Sequence, residues 1–165
     1  MKKTAFCGLM LALALIASYV ESLIPIPIPI PGIKLGVANS IVLILLYMTD
    51  VKTSWIVSVS RVVLVGFLFG SMSSILYSLS GAVLSIVIMI WVKKRNCFTM
   101  TGVSVTGGVS HNMGQLLTAY LVLESKAVWY YLPVLMISGV VTGSIIGILG
   151  KEITKRVPNR YGMEL

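Results

Sequence analysis

Apolar residues gather in six runs along the chain, and the short segments between them hold nearly all of the charge. The runs cover about residues 4–23, 35–49, 53–70, 73–92, 103–123 and 127–150. A helix that crosses a bilayer needs about 20 mostly apolar residues. The first, fourth and sixth runs read as ordinary spans. The third carries Arg61 at its middle, the second is short, and the fifth opens weakly on glycine and polar residues. The pattern predicts an all-α integral membrane protein with six transmembrane helices in a single domain, residues 1–165.

Between the first two runs, Pro25, Pro27, Pro29 and Pro31 alternate with isoleucine. Proline donates no backbone hydrogen bond and restricts the residue before it, so residues 24–34 are expected as a stiff, extended outer loop. Such a segment is apolar without being helical. It is expected to cap or line something rather than face lipid.

Composition agrees with a lipid solvent. Of 165 residues, 57% are hydrophobic and 11% charged, and mean hydropathy is +0.98. A soluble domain carries about 25% charged residues. The net charge is +8, from 13 bases against 5 acids. The bases sit in clusters between the apolar runs, so they read as topology signals rather than a nucleic-acid surface.

With the N-terminus inside, the inner segments hold Lys2, Lys3, Lys52, Lys93, Lys94, Arg95, Lys151, Lys155, Arg156 and Arg160. The outer loops hold only Lys34 and Lys126. The positive-inside rule therefore predicts both termini in the cytoplasm and an even number of spans. Lys2-Lys3 before an apolar run also fits a signal peptide with Ala12-Leu13-Ala14 as its cleavage site. The rest of the chain is just as apolar, so an uncleaved first helix is the simpler expectation. Cys7 and Cys97 fall on the cytoplasmic side, where thiols stay reduced, and show no metal-ligand spacing.

Three groups of residues could carry chemistry. Arg61 lies in mid-span, where a charge costs about 2.5–3.5 kcal/mol on insertion scales. It either pairs with an acid such as Glu21 or anchors an anionic or carbonyl-bearing ligand through its donor fork. His111, Asn112 and Gln115 share a turn and a half of the fifth helix at about the depth of Arg61. They form either an interior polar site with it or hydrogen-bond glue between helices. Lys34 and Asn39 flank the start of the second helix, whose first amides favour anions; alternatively Lys34 reaches to outer headgroups.

Small residues four apart mark close helix contacts: Gly139, Gly143 and Gly147, then Gly8 and Ala12, then Gly66 and Gly70. No Walker A motif, metal-binding Cys/His spacing or nucleophile elbow is present. Asp50 is the only aspartate, so no aspartate-rich cluster can hold Mg²⁺ around a diphosphate. No enzyme activity, metal or cofactor is expected.

Glu21 through Asn39 (ESLIPIPIPIPGIKLGVAN), Arg61 with Ser78-Leu79-Ser80-Gly81, and Gly102 through Gln115 (GVSVTGGVSHNMGQ) resemble the heptaprenyl diphosphate synthase component I family, also called the Gx transporter family. That family resembles the substrate-binding S components of energy-coupling-factor (ECF) importers. The resemblance implies an S-component-like bundle in a bacterial inner membrane, N-in and C-in. It would capture a small vitamin or precursor near the outer face, under the loop between the first two helices. Partners would be a transmembrane coupling protein and two cytoplasmic ATPases. Gly8 and Ala12 would contact the coupling protein, although the family's usual pair is two alanines.

Two functions are therefore expected to compete. One is an S component whose ligand is small, anionic or quinone- or isoprenoid-related. Its candidate site residues are Arg61, His111, Asn112, Gln115, Lys34, Asn39 and Glu21. The other is a non-catalytic membrane subunit of a heptaprenyl diphosphate synthase in menaquinone biosynthesis. A stand-alone secondary transporter ranks lower, because the two halves show no inverted repeat of broken helices.

Overall fold

The structure, a computed structural model, describes residues 3–23 and 38–156. The proline-rich loop 24–34 with Lys34, and the bases Lys2 and Arg160, lie outside the described residues. Those described fold into helices α1 (Lys3–Leu23), α2 (Asn39–Met48), α3 (Val51–Phe69), α4 (Met72–Lys94), α5 (Met100–Leu123) and α6 (Leu132–Arg156). A 3-10 helix, Lys126–Tyr131, precedes α6.

Four segments are long and apolar enough to cross a membrane by length and composition: α1, α3, α4, and α6 with the 3-10 helix before it. α5 has the length but carries too many polar and glycine residues to join them. α2 has 10 residues, which rise roughly 15 Å, half of a ~30 Å hydrocarbon core.

Local chemistry sets the helix ends. Asp50 caps α3, accepting from Thr53 N at 3.1 Å and Thr53 Oγ1 at 2.8 Å. Ser71 caps α4 and Thr99 caps α5 through their hydroxyls. The connection between α3 and α4 is therefore confined to Gly70 and Ser71, since α4 begins at Met72. A continuous sixth helix from residue 127 is also not found. Pro133 has no N–H to donate back to Trp129, and Leu132 N bonds Trp129 O instead in a 3-10 closure. The α-helix therefore starts around the proline, at a position that tolerates it.

Glycines let α4, α5 and α6 approach backbone to backbone. A Cβ added to Gly139 would meet Gly108 and Val109; one on Gly143 would meet Val105 Cα at 2.7 Å, and one on Gly147 would meet Thr101 Cα at 2.5 Å. The α6 numbers rise as the α5 numbers fall, so the two helices are antiparallel. The glycine stripe of α6 thus packs inside the chain. Likewise Gly81 of α4 lies on His111 and Gln115 of α5, whereas Ser85 bonds Gly107.

Lys93, near the end of α4, donates to Leu46 O at 2.6 Å and lies 4.6 Å from the Tyr47 ring. Its ammonium satisfies one of the last α2 carbonyls and favours that helix's negative end. This contact places the end of α2 beside the end of α4. One end of the bundle therefore carries Lys52, Lys93, Lys94, Arg95, Lys151, Lys155 and Arg156, and is called the basic end below.

α2 is the central element. It touches all five other α-helices, and Val42 to Leu46 are buried without a polar face. α1 is peripheral: among the described elements it packs on α2 and α3 alone, burying Phe6, Met10, Ala14, Ser18 and Glu21 along one stripe. The outside of the bundle is apolar, with Ile56, Phe67, Leu121 and Ile137 each more than 60% exposed. So extensive an apolar exterior suits lipid rather than water.

Candidate functional site

Arg61 lies ten residues into α3, roughly 15 Å along the helix axis from its start at the basic end. Asn39 opens α2 at the same depth. The Arg61 side chain is 6% exposed. Its Nη1 donates to Ser18 Oγ at 3.4 Å and its Nη2 to Asn39 Oδ1 at 3.5 Å. Both contacts are long for N–H donors, so the guanidinium is held loosely.

The network continues from there. Asn39 Nδ2 donates to Ser85 Oγ at 3.4 Å, and that hydroxyl donates to Gly107 O at 2.8 Å. One chain of polar contacts therefore joins α1, α3, α2, α4 and α5. It gives a mid-span charge polar partners in a setting that otherwise has none.

Arg61 also lines a small cavity with Ser18, Glu21, Ser74, Ser78 and His111, and with Val65 on its apolar side. The cavity measures about 20 Å³, room for roughly one water molecule. Glu21 is buried and acts electrostatically on Arg61. Arg61 Nε has no hydrogen-bond partner among the described residues, and His111 Nδ1 lies against Gly81 of α4. The cavity therefore offers one charge of each sign, three hydroxyls and an imidazole.

Not all of the expected residues meet there. Asn112 turns the other way and donates through Nδ2 to Leu135 O on α6 at 2.7 Å. Gln115 is fully buried against Gly81, and neither of its polar atoms has a partner among the described residues. Both residues belong to the α4–α5–α6 seam rather than to the cavity wall. Gly8 and Ala12 lie on the exposed face of α1, and a Cβ on Gly8 would meet nothing within 4 Å.

Sequence reasoning misses Ser18 and Ser74, and it quotes Ser78 only for its resemblance. The available signal is spacing. Ser74, Ser78, Gly81 and Ser85 fall at i, i+4, i+7 and i+11, one small and polar stripe along α4. Among the described residues, no three His, Cys, Asp or Glu side chains gather as a metal site.

Apolar helices long enough to cross a membrane, packed around a buried polar cluster, define an all-helical membrane protein. The family model for heptaprenyl diphosphate synthase component I matches residues 10–153. The chain belongs to that family. No curated protein and no solved structure matches it.

Proposed function

We propose that the chain is a non-catalytic, ligand-capturing membrane subunit of the S-component type. It would sit in a bacterial inner membrane with its basic end and both termini in the cytoplasm, counting six membrane helices. The observation that carries this reading is the convergence on one cavity of a buried arginine with donor capacity to spare, a carboxylate, hydroxyls and an imidazole. Intramembrane ionisable groups of this kind mark substrate pathways. Arg61 would hold an oxyanion or carbonyl of a small ligand, and Ser78 and His111 would complete its recognition. Anionic and quinone- or isoprenoid-related ligands fit this description at their polar ends.

Metabolite sites occupy about 300 Å³ or more, so the cavity must open to admit a ligand. α1 is the element to move, since among the described elements it packs on α2 and α3 alone. Its ties to α3 include the long Ser18–Arg61 contact and the Tyr19–Phe69 ring pair at 5.0 Å. The exposed stripe of α1 with Gly8 and Ala12 would then meet a coupling membrane protein, and two cytoplasmic ATPases would supply the energy.

Mass spectrometry of small molecules retained by the extracted protein should identify the ligand. Titration with it should show Arg61→Ala weakening binding by about tenfold or more, the loss expected for a charged hydrogen bond. Arg61→Lys should fall between, keeping the charge but losing the fork. Unchanged affinity in both variants would refute the site.

A second reading rests on the family match alone: a component I that holds a soluble prenyl synthase chain at the membrane. Co-purification separates the two. A coupling protein with ATPases supports the first reading, and a prenyl synthase chain supports the second.

A further inference from the structure

A second cavity lies on the lipid side of the bundle, between α2 and α6, far from the polar site in chemistry. Its volume is about 240 Å³, and Ile41 and Ile44 of α2 face Thr142, Ile145, Leu149 and Ile153 of α6 across it. Two hydroxyl residues, Ser40 and Thr142, line it, and Thr142 Oγ1 is engaged within its own helix, donating to Ser138 O at 2.8 Å. Toward the basic end Gly150 lets α6 close onto Leu43 and Ile44.

Length and charge together say what fits. From Thr142 to Ile153 the helix rises roughly 16 Å, about the depth of one leaflet's hydrocarbon. The groove residues Thr142, Ile145, Leu149 and Ile153 form one stripe at helical spacing, and the next position on that stripe is Arg156. Lys155 lies one position round the helix on the same last turn, and Lys151 lies on the opposite face, all exposed. Arg156 bonds Glu152 at 2.9 Å, but an exposed i,i+4 pair is worth little and exchanges readily for a phosphate. A hydrocarbon slot of single-leaflet depth thus ends at Arg156, with Lys155 on the same last turn.

We propose that this groove is a specific site for an anionic phospholipid of the leaflet at the basic end. One acyl chain lies between α2 and α6, and the phosphate headgroup sits at Arg156, within reach of the flexible Lys155 side chain. Basic clusters at the ends of membrane helices attract such headgroups by about 1 kcal/mol per charge. The hydrocarbon slot adds what a bare cluster lacks, a fixed seat for the chain. The site is independent of the Arg61 cavity, and a bound lipid would brace the central helix α2 against α6.

Native mass spectrometry of the full chain tests this, after delipidation and equilibration with equal phosphatidylglycerol and phosphatidylcholine of matched chains. One phosphatidylglycerol should be retained in preference to phosphatidylcholine. Lys155→Gln with Arg156→Gln should cut that preference by roughly fivefold per charge removed. Ile145→Trp and Leu149→Trp, both at half-exposed positions, should fill the groove and abolish retention, whereas Ile137→Trp on the open face of α6 should not. Equal retention of the two lipids, or retention unaffected by either groove tryptophan, would overturn the proposal. So would displacement of phosphatidylglycerol by equimolar farnesyl diphosphate, which would reassign the groove to a single-chain diphosphate.

Discussion

Arg61 and Asn112 are both buried polar residues inside the helical bundle, yet the structure gives them different weight. Asn112 makes one bond, to a carbonyl of α6 that also serves its own helix, and its Oδ1 has no partner among the described residues. Bonds of this type average about 0.6 kcal/mol in membrane proteins. Replacing Asn112 by leucine also removes a buried acceptor, which offsets part of that loss. Asn112→Leu should therefore change stability by less than about 1 kcal/mol in detergent-titrated unfolding. Arg61→Leu removes the guanidinium from Ser18 and Asn39 and takes a positive charge from beside buried Glu21. Hydrogen bonds to a charged group are worth about 1.5–3 kcal/mol each, so the same assay should show the larger loss for Arg61→Leu. The sequence makes Arg61 conspicuous because a charge in an apolar run has no cheap explanation. It leaves Ser18 and Ser74 inconspicuous because a hydroxyl can satisfy itself on its own helix, as Ser110 does on Thr106 O and Ser144 on Val140 O. Only the tertiary arrangement shows which serines face the cavity.

At the scale of elements, the hydrophobic pattern locates all six α-helices but misplaces several ends. α5 begins at Met100 rather than 103 because Thr99 supplies a cap, and α6 reaches Arg156 because its last turns are polar but still helical. Small-residue spacing alone cannot tell a packed stripe from an open one. On α6 the stripe meets α5 backbone, and backbone cannot turn aside as a flexible side chain can. Gly143→Ala and Gly147→Ala should each cost about 1–3 kcal/mol by overpacking. Gly8→Ala, with the same spacing pattern but open space around it, should stay within about 0.5 kcal/mol. Both are read by the same unfolding assay. If Gly8→Ala leaves stability unchanged yet blocks co-purification of a coupling protein, its stripe is a docking face rather than an internal one.

For the whole molecule, the packing fixes relative directions while charge predicts the absolute one. The antiparallel α4–α5 and α5–α6 seams, with Lys93 on the end of α2, put the α2–α3 and α4–α5 connections and the end of α6 at one end of the bundle. The Glu124–Ser125 connection lies at the opposite end. The membrane retains basic loops on the cytoplasmic side, so the end with Lys93, Lys94 and Arg95 should face inward. Cys97 reports on it directly, being exposed in the α4–α5 connection two residues from Arg95. In a Cys7→Ala background, a membrane-impermeant maleimide should label Cys97 only after cells are permeabilised. With Cys97→Ala added, Ser125→Cys should label in intact cells. The reverse pattern would put the basic end outside and overturn the proposed orientation. It would also leave α1 presenting its Gly8 and Ala12 stripe in the wrong half of the bilayer for a cytoplasmic energy source. Labelling of both sites in intact cells would instead show insertion in two orientations, which the charge bias of this chain argues against.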